Sequence, residues 1–347
     1  MADSSINPSP AIAQFSPQPS SKSPSPKSLN STSPLSVIRK IVYGVTVATL
    51  ALMALGSATR VMNAGLSCPD WPLCYGTLVP SAQMNLQVFL EWFHRLVASS
   101  IGFVTLGLTA ACWGYRKTLP GWLPISITLS LGIVILQGIL GGLTVTQLLR
   151  FDIVTAHLAT GLLFFCSMAV ISSFITPYQG TGVAGNLYLY GGVAALCIYL
   201  QSVLGALVAS RWAVHQCLDT AQLCQVLNSH VVSAAPASLS VLLVAYKTWK
   251  TAALHPTLRQ LVRVAVGLLA LQVVIGVSTL RLHLQVEWLT VSHQVIGASL
   301  FGTLVLFSMM ALRDRTQTNH HLFAVPSPAA GGGIGNRDPF YASPLSQ

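Results

Sequence analysis

Apolar residues run through this chain in long unbroken stretches, and polar positions are pushed into the short intervals between them. Eight such stretches lie near 37–58, 87–113, 122–143, 153–175, 187–209, 227–246, 261–280 and 287–311. Each has about the 20 residues that an α-helix needs to cross a bilayer. In lipid the backbone must satisfy its own hydrogen bonds, so each stretch predicts a helix. The pattern therefore predicts an all-α, polytopic membrane protein. The two ends are of different material. Residues 1–36 are rich in Ser and Pro, carry Lys22 and Lys27 and have no apolar run, which predicts a disordered tail. No apolar core of a cleaved signal peptide precedes the first span; an acid-poor, Ser-rich organellar leader is the competing reading. Residues 313–347, with Gly331, Gly332, Gly333 and scattered Pro, read as a second disordered tail.

The chain is one unit written twice. Leu136, Gln137, Gly141 and Thr144 recur as Leu271, Gln272, Gly276 and Thr279, with the same residues between them in number. His157 and Gly161 then match His293 and Gly297, and His94 matches His230 at nearly the same offset. Ala58-Thr59-Arg60 resembles Ala209-Ser210-Arg211, and each is followed by a cysteine pair. Four spans per half preserve orientation, so the repeat is parallel, about an axis along the membrane normal. Two pseudo-symmetric four-helix bundles are expected, over 37–180 and 181–312.

Charge sets the topology. Only 7% of residues are charged, the mean hydropathy is +0.65, and the formal net charge is +10. The cations are sorted by face, which makes membrane topology their cause and excludes nucleic acid as a partner. Lys22, Lys27, Arg39, Lys40, Arg116, Lys117, Lys247, Lys250, Arg259, Arg263, Arg313 and Arg315 share one side. Arg60, Arg150, Arg211 and Arg281 lie on the other, with Asp70, Asp152, Asp219 and Glu287. The positive-inside rule then places both termini in the cytoplasm, in a bacterial plasma membrane. The even-numbered spans enter from outside.

Each of those even spans carries a histidine near its start: His94, His157, His230 and His293. Imidazoles in hydrocarbon are costly and mark function. A single one could hydrogen-bond a neighbouring helix and no more. Four at one depth, at matched repeat positions, predict two bis-histidine sites for haem iron, His94 with His157 and His230 with His293. His215, His255, His283, His320 and His321 fall in loops or the tail and read as solvated.

The halves differ around these histidines. Glu91 precedes His94 by three residues and shares its helix face, whereas Leu227 takes that place before His230. A plain bis-histidine site suits a haem that only moves electrons; a carboxylate alongside suits chemistry. The competing reading makes Glu91 a solvated charge at a helix start. Cys68 and Cys74 enclose five residues, Cys217 and Cys224 six, both in outer loops where two disulfides are the natural pairing. A zinc site fits the spacing less well. Arg60, Arg95 and Arg211 could pair with haem propionates. For Arg60 and Arg211 interfacial anchoring is the alternative. Gly132, Gly138, Gly141 and Gly142 of the third span either pack helices or make room for a flat ligand.

The run Cys68-Pro69-Asp70-Trp71-Pro72-Leu73-Cys74-Tyr75-Gly76, followed by Glu91-x-x-His94-Arg95, the later histidines and the four-plus-four repeat, resembles the haem A synthase family. The resemblance covers the membrane part and leaves out both tails. It implies an enzyme that oxidises a ring methyl group of haem O to a formyl group, giving haem A for terminal oxidases. Carried over, His94 and His157 belong to the substrate half, Glu91 is a catalytic carboxylate, and His230 and His293 hold a retained haem b. The resemblance also implies an upstream haem O synthase, a farnesyltransferase, and cytochrome c oxidase as the destination of the product. If the inserted oxygen comes from water, Glu91 is the carboxylate placed to act as base. A farnesylated substrate would enter the first bundle sideways from membrane lipid. Two other classes of function compete: a b-type cytochrome without catalysis, and a haem-carrying factor for oxidase assembly. The residues leave the electron acceptor and the oligomeric state open, a homo-oligomer included.

Overall fold

The computed structural model describes residues 33–209, 221–282 and 285–323, without the side chains of 221–224 and 317–323. Among them are eight long helices: α1 (Pro34–Val61), α2 (Leu86–Gly114), α3 (Trp122–Thr146), α4 (Phe151–Ile175), α5 (Leu187–Ala209), α6 (Ala221–Lys250), α7 (Pro256–Arg281) and α8 (Glu287–Phe323). Each contains a stretch long and apolar enough to cross a membrane.

Local chemistry sets where the helices begin. The Ser33 hydroxyl accepts the Ser36 N–H and Pro34 occupies the first turn, so α1 starts just before the apolar pattern does. Asn85 caps α2 by accepting the Val88 N–H at 2.9 Å. His255, expected to be merely solvated, caps α7: its Nδ1 accepts the Thr257 N–H beside Pro256.

The helices close into two rings. α1 touches α2, α2 touches α3, α3 touches α4, and α4 returns to α1. The second half repeats this order through α5, α6, α7 and α8, which is compatible with the expected pseudo-symmetry. The rings meet through α1 on α8, α4 on α8 and α4 on α5. Of the α4 and α8 spans 50% and 56% are buried within the chain, against 22% or less of the other six, so these two form the centre. Lipid offers helices no hydrophobic reason to associate, and close packing at small residues takes over. A Cβ on Gly302 of α8 would stand 2.6 Å from Phe165 of α4, and one on Gly191 of α5 2.7 Å from Phe307 of α8.

The C-terminal tail expected from 313 onward begins as helix, since α8 continues to Phe323. Its charges are structural. Asp314 is fully buried and accepts the N–H groups of Thr181 at 2.7 Å and Ala184 at 3.0 Å and the Tyr178 hydroxyl at 3.1 Å. Arg313 donates to the Ser173 carbonyl at the end of α4. Together they fasten the connection between the two rings at the end remote from the four histidines, where an unpaired buried carboxylate would be costly.

Candidate functional site

All four histidines point at a glycine on the helix before their own. A Cβ on Gly56 of α1 would lie 2.8 Å from His94 Cε1, and one on Gly141 of α3 would lie 3.3 Å from His157 Cε1. In the second ring the corresponding distances are 3.0 Å from Gly205 of α5 to His230 and 2.7 Å from Gly276 of α7 to His293. Each imidazole thus fills the notch that a missing side chain leaves, and all four sit at the same end of the molecule. Gly141 and Gly276 were visible as repeat partners in the sequence, but their contact with the rings needed the helices in place. The other third-span glycines divide. Gly142 receives the indole of Trp71, whereas Gly132 and Gly138 have nothing within 4 Å of a built Cβ.

The rings pair within their own halves. His230 and His293 stand with centroids 6.4 Å apart and planes at 76°. His94 and His157 are both seated on glycines of the first ring, Gly56 and Gly141. These residues fit a haem iron. At metal–nitrogen distances of about 2 Å, two imidazoles facing each other across one ion have centroids roughly 6 Å apart. The Nδ1 atoms of His94, His157 and His293 are buried with no hydrogen-bond partner. A polar atom so placed costs about 1–3 kcal/mol. Two amides approach the second pair: Gln201 Nε2 is 3.1 Å from His230 Nδ1, and Gln272 Nε2 is 3.2 Å from His293 Nε2. The sequence showed Gln272 as a repeat partner of Gln137 and gave neither a role.

Beside the first pair stands a clamped loop. Cys68 and Cys74 form a disulfide, as their spacing suggested. Glu91, buried on α2, holds this loop: Oε2 accepts the Cys68 N–H at 2.8 Å and Oε1 pairs with Arg95 at 2.6 Å. Arg95 spends its two terminal nitrogens on Glu91 and on the carbonyls of Cys68, Asp70 and Leu73. Charge-assisted bonds of this kind are the strong ones. Within the loop, Asp70 accepts from Gly76 N–H at 2.8 Å and Tyr75 N–H at 2.6 Å, and the Gly76 bond above all holds its carboxyl below the usual range. Those bonds fix a tight turn in which Tyr75 and Gly76 both have positive φ. Trp71 lies on Gly142, next to the glycine that seats His157, so the loop spans from α2 to α3 at the histidine end. The Glu91–Arg95 spacing was legible in the sequence; its grip on the loop was not.

The remaining expected residues are distributed as follows. Arg60 of α1 donates to Gln294 of α8 at 3.2 Å, reaching across the two rings to the neighbour of His293. Arg211, Cys217, His215 and His283 lie outside the described residues, as does the side chain of Cys224, so the Cys217–Cys224 pairing is not placed. Cys112, Cys166 and Cys197 are free thiols within helices.

The chain is similar in sequence to several known proteins. A heme A synthase of Shewanella oneidensis is 26% identical over 324 residues, covering 78% of this chain and 96% of that protein. One from Bacillus licheniformis is 24% identical and covers 78% and 95%. One from a Bradyrhizobium strain reaches 30% identity over 49% of this chain and 56% of its own length. The family model described as cytochrome oxidase assembly protein, COX15-CtaA, matches residues 39–305, from within α1 through both histidine pairs to the middle of α8, and the chain belongs to that family.

Proposed function

We propose that this protein is a haem A synthase, which oxidises a methyl group of haem O to a formyl group. The observation that carries the reading is the inequality of the two histidine pairs. One stands beside a disulfide loop clamped by a buried carboxylate and an arginine; among the described residues the other has two amides and the Ser233 hydroxyl nearby. The relatives that align over nearly their full length bear the same name.

In this reading the first ring (37–180) is the substrate half and the second (181–312) the electron-transfer half. His94 and His157 hold and orient the iron of haem O. Turning a methyl into a formyl with the oxygen of water removes four electrons and releases four protons. Glu91 accepts protons from that water, since each of its oxygens keeps a lone pair beyond those used by Arg95 and Cys68. His230 and His293 hold haem b, which when bound accepts single electrons. Arg60, which reaches Gln294 of α8, and Arg211 and the remaining Nε–H of Arg95 complement propionates. The histidine end faces outward, with both termini cytoplasmic, as the cation distribution directs. A farnesylated substrate made by a membrane farnesyltransferase enters from lipid, and the product goes to a terminal oxidase.

The test is expression in cells that make haem O and no haem A, followed by extraction of haems from membranes and from the purified protein. Haem A in the membranes, with haem O or haem A beside haem b on the protein, is the expected result. Haem b alone, with no haem A formed, would instead assign a b-type cytochrome. Bound haem O left unconverted would assign a haem-carrying assembly factor.

A further inference from the structure

The glycine contacts give a register in which the surroundings of all four histidines can be superposed. On each preceding helix the glycine that meets the ring follows another residue by four positions. That residue is Gln137 before Gly141, Gln201 before Gly205 and Gln272 before Gly276, but Leu52 before Gly56. On the histidine's own helix the residue three positions later also changes, from Ser233 after His230 to Val97 after His94.

In the second half these two polar residues work together. Gln201 Nε2 donates to the His230 carbonyl at 2.7 Å and lies 3.1 Å from its Nδ1, while Gln201 Oε1 accepts from the Ser233 hydroxyl at 2.6 Å. The amide is therefore held at both ends and braces the turn of α6 that carries His230 through that residue's carbonyl. In the first half both members are apolar. Leu52 and Val97 pack against the hydrophobic core of that ring, and His94 Nδ1 is buried without a partner. Gln272 lies 3.2 Å from the other ring nitrogen of His293, Nε2, and leaves its Nδ1 without a partner, so the contrast is between His230 and His94.

We propose that Gln201 and Ser233 are positioning residues that lock His230 and retain the haem of the second half, and that Leu52 and Val97 leave His94 unlocked so that the haem of the first half can enter and leave. The inference rests on the functional reading above, in which one haem is a fixture and the other a substrate. The physical ground is that an outer hydrogen bond to the turn carrying a ligating histidine restricts where its ring can stand. Loss of such a partner lowers metal affinity by about 10–100-fold. A catalyst that must release its product gains from omitting that partner on one ligand, and a permanent electron acceptor gains from keeping it.

The experiment exchanges the two environments in the full-length protein. Leu52→Gln with Val97→Ser is expected to raise the haem O and haem A co-purifying per haem b, to slow exchange against added haem by about tenfold, and to lower haem A output. Its low-spin electron paramagnetic resonance signal should shift, which a change of packing far from the ligand would not cause. Retained haem b, bound in the other ring, reports that the variant is folded. Gln201→Leu with Ser233→Val should release haem b on dilution in detergent and leave the occupancy of the first ring unchanged. Leu52→Met, which alters shape without adding an amide, should behave as wild type. Unchanged exchange in both double variants, or an equal effect from Leu52→Met, overturns the proposal. A wild-type protein that makes haem A while the swaps do nothing sinks this inference alone. A wild-type protein that makes none, with swaps that still move retention, sinks the synthase reading and leaves the locking of His230 standing.

Discussion

The two rings share helix order, glycine notches and histidine positions, yet they use their polar residues in opposite places. In the first ring the charged groups are drawn out to the loop: Glu91 and Arg95 grip Cys68, Asp70 and Leu73, and Nδ1 of His94 is left without a hydrogen-bond partner. In the second ring Leu227 stands where Glu91 does, and Gln201 and Ser233 bridge α5 to the turn that carries His230. The two rings share an order of helix contacts and differ in which polar side chains stand near the imidazoles.

The contrast breaks most visibly at the ligands. Replacing His230 or His293 with Leu should abolish haem b in the purified protein, read from reduced-minus-oxidised optical spectra, whereas His94→Leu should leave haem b in place and stop haem A formation. Haem b retained in both second-half variants would show that the second ring is not its site.

The next largest effect lies in the latch. Glu91→Gln keeps an acceptor for the Cys68 N–H and loses the charge; it should end haem A production with haem b intact, as haem extraction would show. Arg95→Leu leaves the buried Glu91 carboxylate without its cation, and breaking a buried pair typically costs about 3–5 kcal/mol. It should lower the thermal midpoint and expose the loop to protease. The matching second-half change, Leu227→Ala, should do neither. Wild-type haem A levels in Glu91→Gln would reduce the carboxylate to a structural latch.

Smaller effects come from the notches. Alanine at Gly276 meets His293 Cε1 at 2.7 Å and at Gly141 meets His157 at 3.3 Å. Overpacking of this kind costs about 1–3 kcal/mol. Gly276→Ala should therefore shift the haem b spectrum and weaken its retention, with Gly141→Ala milder and Gly138→Ala silent. Equal behaviour of all three would mean that the glycines act only through general helix packing.

The smallest effect is the pH response of the loop. The carboxyl of Asp70 is held below its ordinary range by the Gly76 N–H first and then by Tyr75. A depressed carboxyl stabilises the turn above its unfolded pKa, and the contribution fades as pH falls through the lower, folded value. Hydrogen exchange at the Tyr75 and Gly76 amides should accordingly show protection at neutral pH, corrected for intrinsic rates, that declines in acid. Asp70→Asn should remove that pH dependence, and the second ring's haem b should not respond.

Much of this was legible in the residues. The eight spans followed from length and apolarity, the repeat from Gln137 and Gln272 with their glycines, and the histidine pairs from depth and duplication. The Cys68–Cys74 bond followed from short spacing. Other features were invisible for a definite reason. Gly138 and Gly141 look alike in the sequence, but only one faces a ring, because that depends on helix rotation. Asp314 and Arg313 read as the start of a polar tail, yet they satisfy Thr181, Ala184 and Ser173 on a segment 130 to 140 residues away.

The sequence by itself determined the class of protein, the number of spans, the duplication and which residue types could meet iron. These depend on hydrophobic length and local spacing, which a linear chain states directly. Tertiary structure alone decided which glycine seats which imidazole and that Arg60 belongs beside Gln294 of the opposite ring. It also decided that Leu52 and Val97 stand where Gln201 and Ser233 lock a ligand. Those facts depend on the rotation and axial register of helices packed against one another, and no local pattern encodes them.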